Sequence, residues 1–145
     1  MKFVELDGKL VGDKKPCYFI AEIGSLFKNF EEAKRLIDSA VEIGIDAIKF
    51  QTFEADTITT KNNSFNMENT GKISQYDLFK KCEISKELQM EVTNYANQKG
   101  ITVFSAPSHI KDLDTMKKLD LPIYKIGSDL ACHIPLLKEV GKIGK

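Results

Sequence analysis

Residues 47–53 read AIKFQTF, and residues 122–128 read PIYKIGS. Each is an apolar run of strand length with a lysine in its middle, Lys49 in one and Lys125 in the other. Side chains alternate along a strand, so Ala47, Lys49 and Gln51 share one face while Ile48 and Phe50 share the other. In the second run Ile123, Lys125 and Gly127 share a face, opposed by Tyr124 and Ile126. A third run, YFIAEI (18–23), aligns Ile20 with Glu22 against Phe19, Ala21 and Ile23. Each run therefore has one apolar face suited to packing under helices, and a second face that turns polar toward its C-terminal end. An open parallel sheet covered by helices on both sides has no use for that second face. A barrel does, because the face points inward and its upper end borders the site.

The segments between these runs complete the pattern. KFVEL and KLVGD flank Asp7-Gly8, a dipeptide suited to a type I′ turn, which predicts an N-terminal hairpin within residues 1–16. NFEEAKRLIDSAVEIG (29–44) carries its apolar residues on one helical stripe, with Asn29 as N-cap and Gly44 as the stop. Residues 54–73 are polar and read as a long functional loop. Helices are predicted over 74–81, over 86–100 behind Ser85, over 109–120, and over 134–145 with Pro135 in its first turn. ITVFSAP (101–107) and IYKIGS (123–128) are the third and fourth parallel strands. The order is a hairpin followed by four βα units over residues 17–145. That order fits an open four-stranded sheet or the first half of a TIM-type (βα)8 barrel, whose full length is about 250 residues. The polar inward face favours the half barrel. The sequence stops inside its last helix, which reads as an interruption.

Composition narrows the function. Of 145 residues, 42% are hydrophobic and 29% charged, which suits a soluble globular domain, and the net charge of zero argues against a nucleic-acid or anionic-membrane partner. No apolar run approaches the ~18 residues of a membrane span, and no signal peptide is visible, so a cytoplasmic location is expected. Cys17, Cys82 and Cys132 form no CxxC pair and read as reduced structural thiols. His109 and His133 have no carboxylate at ligand spacing, so no metal site is expected from this chain alone.

A buried ammonium must find an anion or lose its proton. Glu22 can neutralise one lysine: at ~4 Å and an effective dielectric of ~20 the pair attracts by roughly 4 kcal/mol before desolvation. The other lysine leaves a net positive pocket, suited to a small polyanion such as a carboxylate-phosphate, with Gln51, Ser105 and Ser128 adding neutral hydrogen bonds. A lone lysine in a strand usually snorkels to water. Two at matching positions beside Glu22 point to a site. Pattern alone leaves anion binding and Schiff-base chemistry, as in a class I aldolase, both open.

FIAEIG (19–24), EEAKRLIDSAVEIGIDAIKFQTF (31–53), SQYDLFKKCEISKE (74–87), KGITVFSAP (99–107) and LPIYKIGSDLACHIPLLKEVGKIGK (121–145) resemble the N-terminal barrel strands of the sialic acid synthase family. The family includes N-acetylneuraminate, legionaminate and pseudaminate synthases and related spore-coat polysaccharide proteins. The resemblance implies a (βα)8 barrel followed by an antifreeze-like domain, assembled as a homodimer. It implies condensation of phosphoenolpyruvate with an N-acylated amino sugar to a nine-carbon 2-keto acid, with a divalent metal, Mn or Mg, polarising the sugar aldehyde. Carried over by position, Lys49, Lys125 and Ser128 hold phosphoenolpyruvate, and Glu22 and Gln51 face the acceptor and its metal.

This sequence departs from the family pattern in places. SLFKNF (25–30) lacks the usual Asn-His pair and is about one residue shorter; Leu130 stands where many relatives carry Glu, leaving Asp129 as the available substitute. SAPSH (105–109) lacks a hydroxyl at Ala106 and an aromatic ring at Ser108. The family's metal-binding histidines and antifreeze-like domain have no counterpart in these residues. The expectation is an incomplete synthase, inactive alone; a non-catalytic half-barrel module is the third reading.

Overall fold

Three parallel strands carry the middle of the fold, in the order β3 (Ile20–Glu22), β4 (Ala47–Thr52), β7 (Thr102–Pro107). The computed structural model describes residues 2–24, 26–68 and 71–145. Met1, Ser25 of the shortened loop, and residues 69–70 of the polar excursion lie outside the described residues.

Alternation works as the sequence pattern requires. Ile48 and Phe50 of β4 are fully buried, as are Ala33 and Ile37 of helix α1 (Phe30–Glu42) and Val92 and Ala96 of helix α4 (Lys86–Gln98). Together with Val103, Met116 and Leu121 they form one apolar core between the sheet and its helices. Burying each large side chain contributes about 1.5–3 kcal/mol. The helices start where their caps stand. The Asn29 side chain accepts the Glu32 N–H at 3.0 Å, and the Ser85 hydroxyl accepts the Leu88 N–H at 3.1 Å.

The N-terminal segment pairs β1 (Phe3–Leu6) with β2 (Lys9–Gly12) antiparallel across Asp7-Gly8, both at positive φ. The turn docks on the N-terminal end of the parallel sheet. Asp7 Oδ2 accepts the Thr102 hydroxyl at 2.7 Å, and Lys9 pairs with Asp46 at 2.8 Å, just ahead of β4.

Three expectations change. The described residues of the 54–73 stretch hold regular elements where a loop is expected: a short helix α2 (Ala55–Ile58) comes before an antiparallel pair, β5 (Ser64–Met67) and β6 (Gly71–Ser74), with α3 (Gln75–Cys82) after it. Phe79 of α3 stands edge-on to both Phe53 and Phe65, with ring centroids 5.9 Å apart in each case, which ties the excursion to the end of β4. The fourth strand is reduced to a single parallel bridge, Ser105 to Tyr124, followed by a 3-10 turn at Ser128–Leu130. Bounded by Pro122, which has no N–H, and Gly127, this edge segment has few residues able to pair. The helix expected over 109–120 is α5 (Asp112–Lys118), shortened because the Asp112 carboxylate accepts the Ser108 and His109 N–H groups and closes a turn first. Helix α6 (Ile134–Ile143) is closed by Gly144 in the left-handed conformation (φ 76°), so it stops short of the expected 134–145. None of the described helices is long and apolar enough to cross a membrane.

Helices α1 and α4 are pinned by one acid. Asp38 Oδ1 accepts from Lys99 Nζ and from the Tyr95 hydroxyl, both at 2.7 Å. The Lys99 ammonium, then the Tyr95 hydroxyl, hold the Asp38 carboxyl below its ordinary range. A depressed carboxyl pKa contributes stability above the unfolded-state value of about 3.9, and that contribution is lost as pH falls through the folded-state value. Asp38→Asn is therefore expected to lower the thermal unfolding midpoint at pH 7. The deficit should close once the pH drops below the depressed value, followed by circular dichroism melts across the acid range.

Candidate functional site

The strand register decides which residues share the inward face. Glu22 pairs with Lys49, Lys49 with Phe104, and Gln51 with Ala106. Residues paired across a sheet present their side chains on the same face. Glu22, Lys49 and Phe104 therefore form one row, and Gln51 and Ala106 the next row toward the C-terminal ends. The bridge from Ser105 to Tyr124 continues the register, so Lys125 follows Ala106 in the upper row. From strand spacing and rise, Lys49 and Lys125 are roughly 12 Å apart at Cα, close enough for two long side chains to converge on one small anion.

Glu22 and Lys49 form an ion pair between adjacent strands, with the Lys49 side chain only 12% exposed. The other carboxylate oxygen of Glu22, Oε1, accepts the Gly24 N–H at 2.9 Å. Gly24 has φ +27°, and a Cβ there would lie 3.1 Å from that oxygen, so a glycine lets the backbone close over the acid. Beyond Glu22 the chain stays hydrogen-bonded, since the Lys49 carbonyl accepts the Ile23 N–H at 2.8 Å. Lys125 is exposed and takes part in none of the ion pairs among the described residues. Gln51 is exposed beside it in the upper row.

The remaining expected residues lie elsewhere. Ser105 is fully buried on the opposite, helix-facing side, with its hydroxyl 2.8 Å from Thr52 Oγ1 and 3.2 Å from the Phe50 carbonyl. It shares strand parity with Val103 rather than with Phe104, so it is not a ligand-facing group. Ala106 takes the inward position instead. Ser128 and Asp129 are exposed in the 3-10 turn after the Lys125 segment. The Asp129 carboxylate folds back over Gly127, where a Cβ would sit 2.3 Å from Oδ1. Two contributions were missed at the level of sequence. The Gly24 N–H is a backbone group with no side-chain signal, and the Thr52–Gln89 hydrogen bond joins residues 37 positions apart.

A cavity of about 440 Å³ opens on the helix side, lined in part by Thr52, Glu54, Glu83, Lys86, Gln89 and Asp112. Burial there pushes the Asp112 carboxyl up against the pull of its two backbone N–H partners. Neither lysine of the inward face lines it. The described residues hold no group of three or more His, Cys, Asp or Glu able to take a metal, and the Glu22 carboxylate is already committed to Lys49 and Gly24. The described residues do not by themselves fit a divalent ion.

Glu22 is about half exposed but Lys49 is largely buried (47% and 12% of their side-chain surfaces), so removing the acid leaves a mostly buried ammonium without its carboxylate. Glu22→Ala is expected to cost about 1–3 kcal/mol of unfolding free energy. Adding Lys49→Met should recover part of that loss, giving a non-additive cycle in urea melts. Strict additivity would show that the pair carries no interaction.

Comparison with known proteins bears on this geometry. Residues 36–145 match the model of the NeuB family. An uncharacterized protein of Methanocaldococcus jannaschii is 33% identical over all of this chain and 40% of its own length. The N,N'-diacetyllegionaminic acid synthase of Legionella pneumophila is 33% identical over 88% of this chain and 37% of its own length. Among solved structures, N-acetylneuraminic acid (sialic acid) synthetase from Leptospira borgpetersenii, in complex with citrate, superposes with a TM-score of 0.78 at 26% identity, covering 97% of this chain and 46% of that one. The chain thus spans about two-fifths of the length of the curated relatives it matches. With three-quarters of its residues inside the family match, this chain belongs to the NeuB family.

Proposed function

We propose that these residues form the N-terminal half of a (βα)8 barrel that condenses phosphoenolpyruvate with an N-acylated amino sugar in sialic-acid-type biosynthesis. Their own share of the work is to hold phosphoenolpyruvate. The observation that carries this reading is the inward face, where the Glu22–Lys49 pair and the exposed Lys125 stand near the C-terminal ends of parallel strands. The names of the legionaminic acid synthase and sialic acid synthetase relatives support the reaction class.

Phosphoenolpyruvate carries its carboxylate and its phosphate ester on the same carbon, C2, so two ammonium groups at different heights suit it. Lys49 has three N–H donors and gives one region to Glu22, leaving others for the ligand. Lys125 supplies the second charge, and Gln51 and Ser128 add neutral hydrogen bonds. Glu22 orients Lys49 and borders the acceptor. Asp129 meets the acceptor only by turning away from Gly127. In the reaction, C3 of phosphoenolpyruvate attacks the sugar aldehyde carbon and water adds at C2. The C–O bond to phosphate then breaks, releasing phosphate and the 2-keto acid. Cationic groups near the phosphate stabilise the charge that develops as it leaves. A divalent metal, Mn or Mg, and assembly as a homodimer belong to the same proposal.

The alternative reading is a lysine imine. An ammonium already held by Glu22 suits anion binding better than imine formation.

Calorimetric titration of the chain with phosphoenolpyruvate should show binding, weakened about 10- to 100-fold by Lys49→Ala or Lys125→Ala. Incubation with Mn, phosphoenolpyruvate and N-acetylmannosamine should give no turnover from these 145 residues alone. Pyruvate with borohydride should leave both lysines unmodified, and an adduct mapped to either one would favour the imine reading.

A further inference from the structure

Ser105 sits where the two lysine-bearing segments meet. Its carbonyl accepts the Lys125 N–H at 3.1 Å, and Tyr124 is its bridge partner. Its hydroxyl points the other way, into the helix side of the sheet, beside Thr52 Oγ1 at 2.8 Å and the Phe50 carbonyl at 3.2 Å. Thr52 Oγ1 donates to Gln89 Oε1 at 2.9 Å, and Gln89 Nε2 donates to the Ile84 carbonyl at 2.8 Å. Proton counting fixes the directions. Thr52 gives its only proton to Gln89, so Ser105 shares its own between Thr52 and the Phe50 carbonyl. Ser105, Thr52 and Gln89 are each 3% exposed or less. A buried chain of this kind is costly when half-satisfied, and it admits one arrangement when complete.

We infer that the Ser105–Thr52–Gln89 chain positions the inward face, setting the end of β4, which carries Lys49 and Gln51, relative to the segment that carries Lys125. This rests on the anion-binding reading above and adds positioning residues to it. Neither Thr52 nor Ser105 touches the ligand. Thr52 is the immediate neighbour of Gln51, and the strand alternates. Any rotation of the β4 end about its own axis therefore swings Gln51 and Lys49 away from the ligand. The hydrogen bond from Thr52 to Gln89 anchors that rotation to helix α4. On the other side, Ser105 is held by its side chain to β4 and by its backbone to Lys125, so one residue links the two heights. Among the described residues the fourth segment makes this single bridge to the sheet, so Ser105 is well placed to set its height.

The test uses isotope-labelled chain with phosphoenolpyruvate as probe. Thr52→Val deletes the hydroxyl at nearly constant shape, Thr52→Ser keeps it, and Ser105→Ala removes one oxygen and stays foldable. In Thr52→Val and Ser105→Ala, the side-chain NMR resonances of Lys49 and Lys125 should move, and affinity for phosphoenolpyruvate should fall about three- to tenfold. Thr52→Ser should restore both, which a plain loss of stability would not do. Folded variants whose lysine resonances stay put overturn the inference. If the unsubstituted chain does not bind phosphoenolpyruvate while the resonances still move, the anion-binding reading fails and the positioning chain stands.

Discussion

A charge pair between neighbouring strands constrains everything around it. Lys49 is mostly buried, and its partner Glu22 comes from the adjacent strand at the paired position. Strands β3 and β4 must then hold their register, because a one-residue slip of either strand would turn its own charge toward the apolar core and part it from its partner. Ile48 and Phe50 enforce the same register from the other side, where they are fully buried beneath the helices. The apolar face and the charged face are thus two consequences of one alternation, and neither can move without the other.

Much of this was legible in the residues. The runs around Lys49 and Glu22 gave their strands and faces, and Asn29 and Ser85 gave their caps, because alternation and capping are local rules. Ser105 was misjudged for a reason that local rules cannot repair. Val103, Ser105 and Pro107 share one parity and Phe104 and Ala106 the other, and only the pairing of Lys49 with Phe104 tells which parity faces inward. The excursion after β4 was read as loop because its order comes from Phe53, Phe65 and Phe79 meeting across distant positions, with no periodic run to announce it. The segment around Lys125 shows the opposite failure. Its apolar composition promised a strand, yet an edge with a proline at one end and a glycine at the other leaves a single bridge.

The two faces of the sheet differ in kind. The inward side offers ammonium, amide and carboxylate groups, while the helix side hides a complete set of hydroxyl and amide hydrogen bonds among aliphatic neighbours. Two of the departures from the resembled pattern lie away from that buried helix side: Ala106 is in the inward row, and Leu130 is the last residue of the 3-10 turn.

The N-terminal hairpin gives the molecule a direction. Tied through Asp7 to Thr102 and through Lys9 to Asp46, it sits at the end where β4 and β7 begin. Gln51 and the exposed Lys125 stand toward the other end, so hairpin and free ammonium mark opposite poles of the sheet.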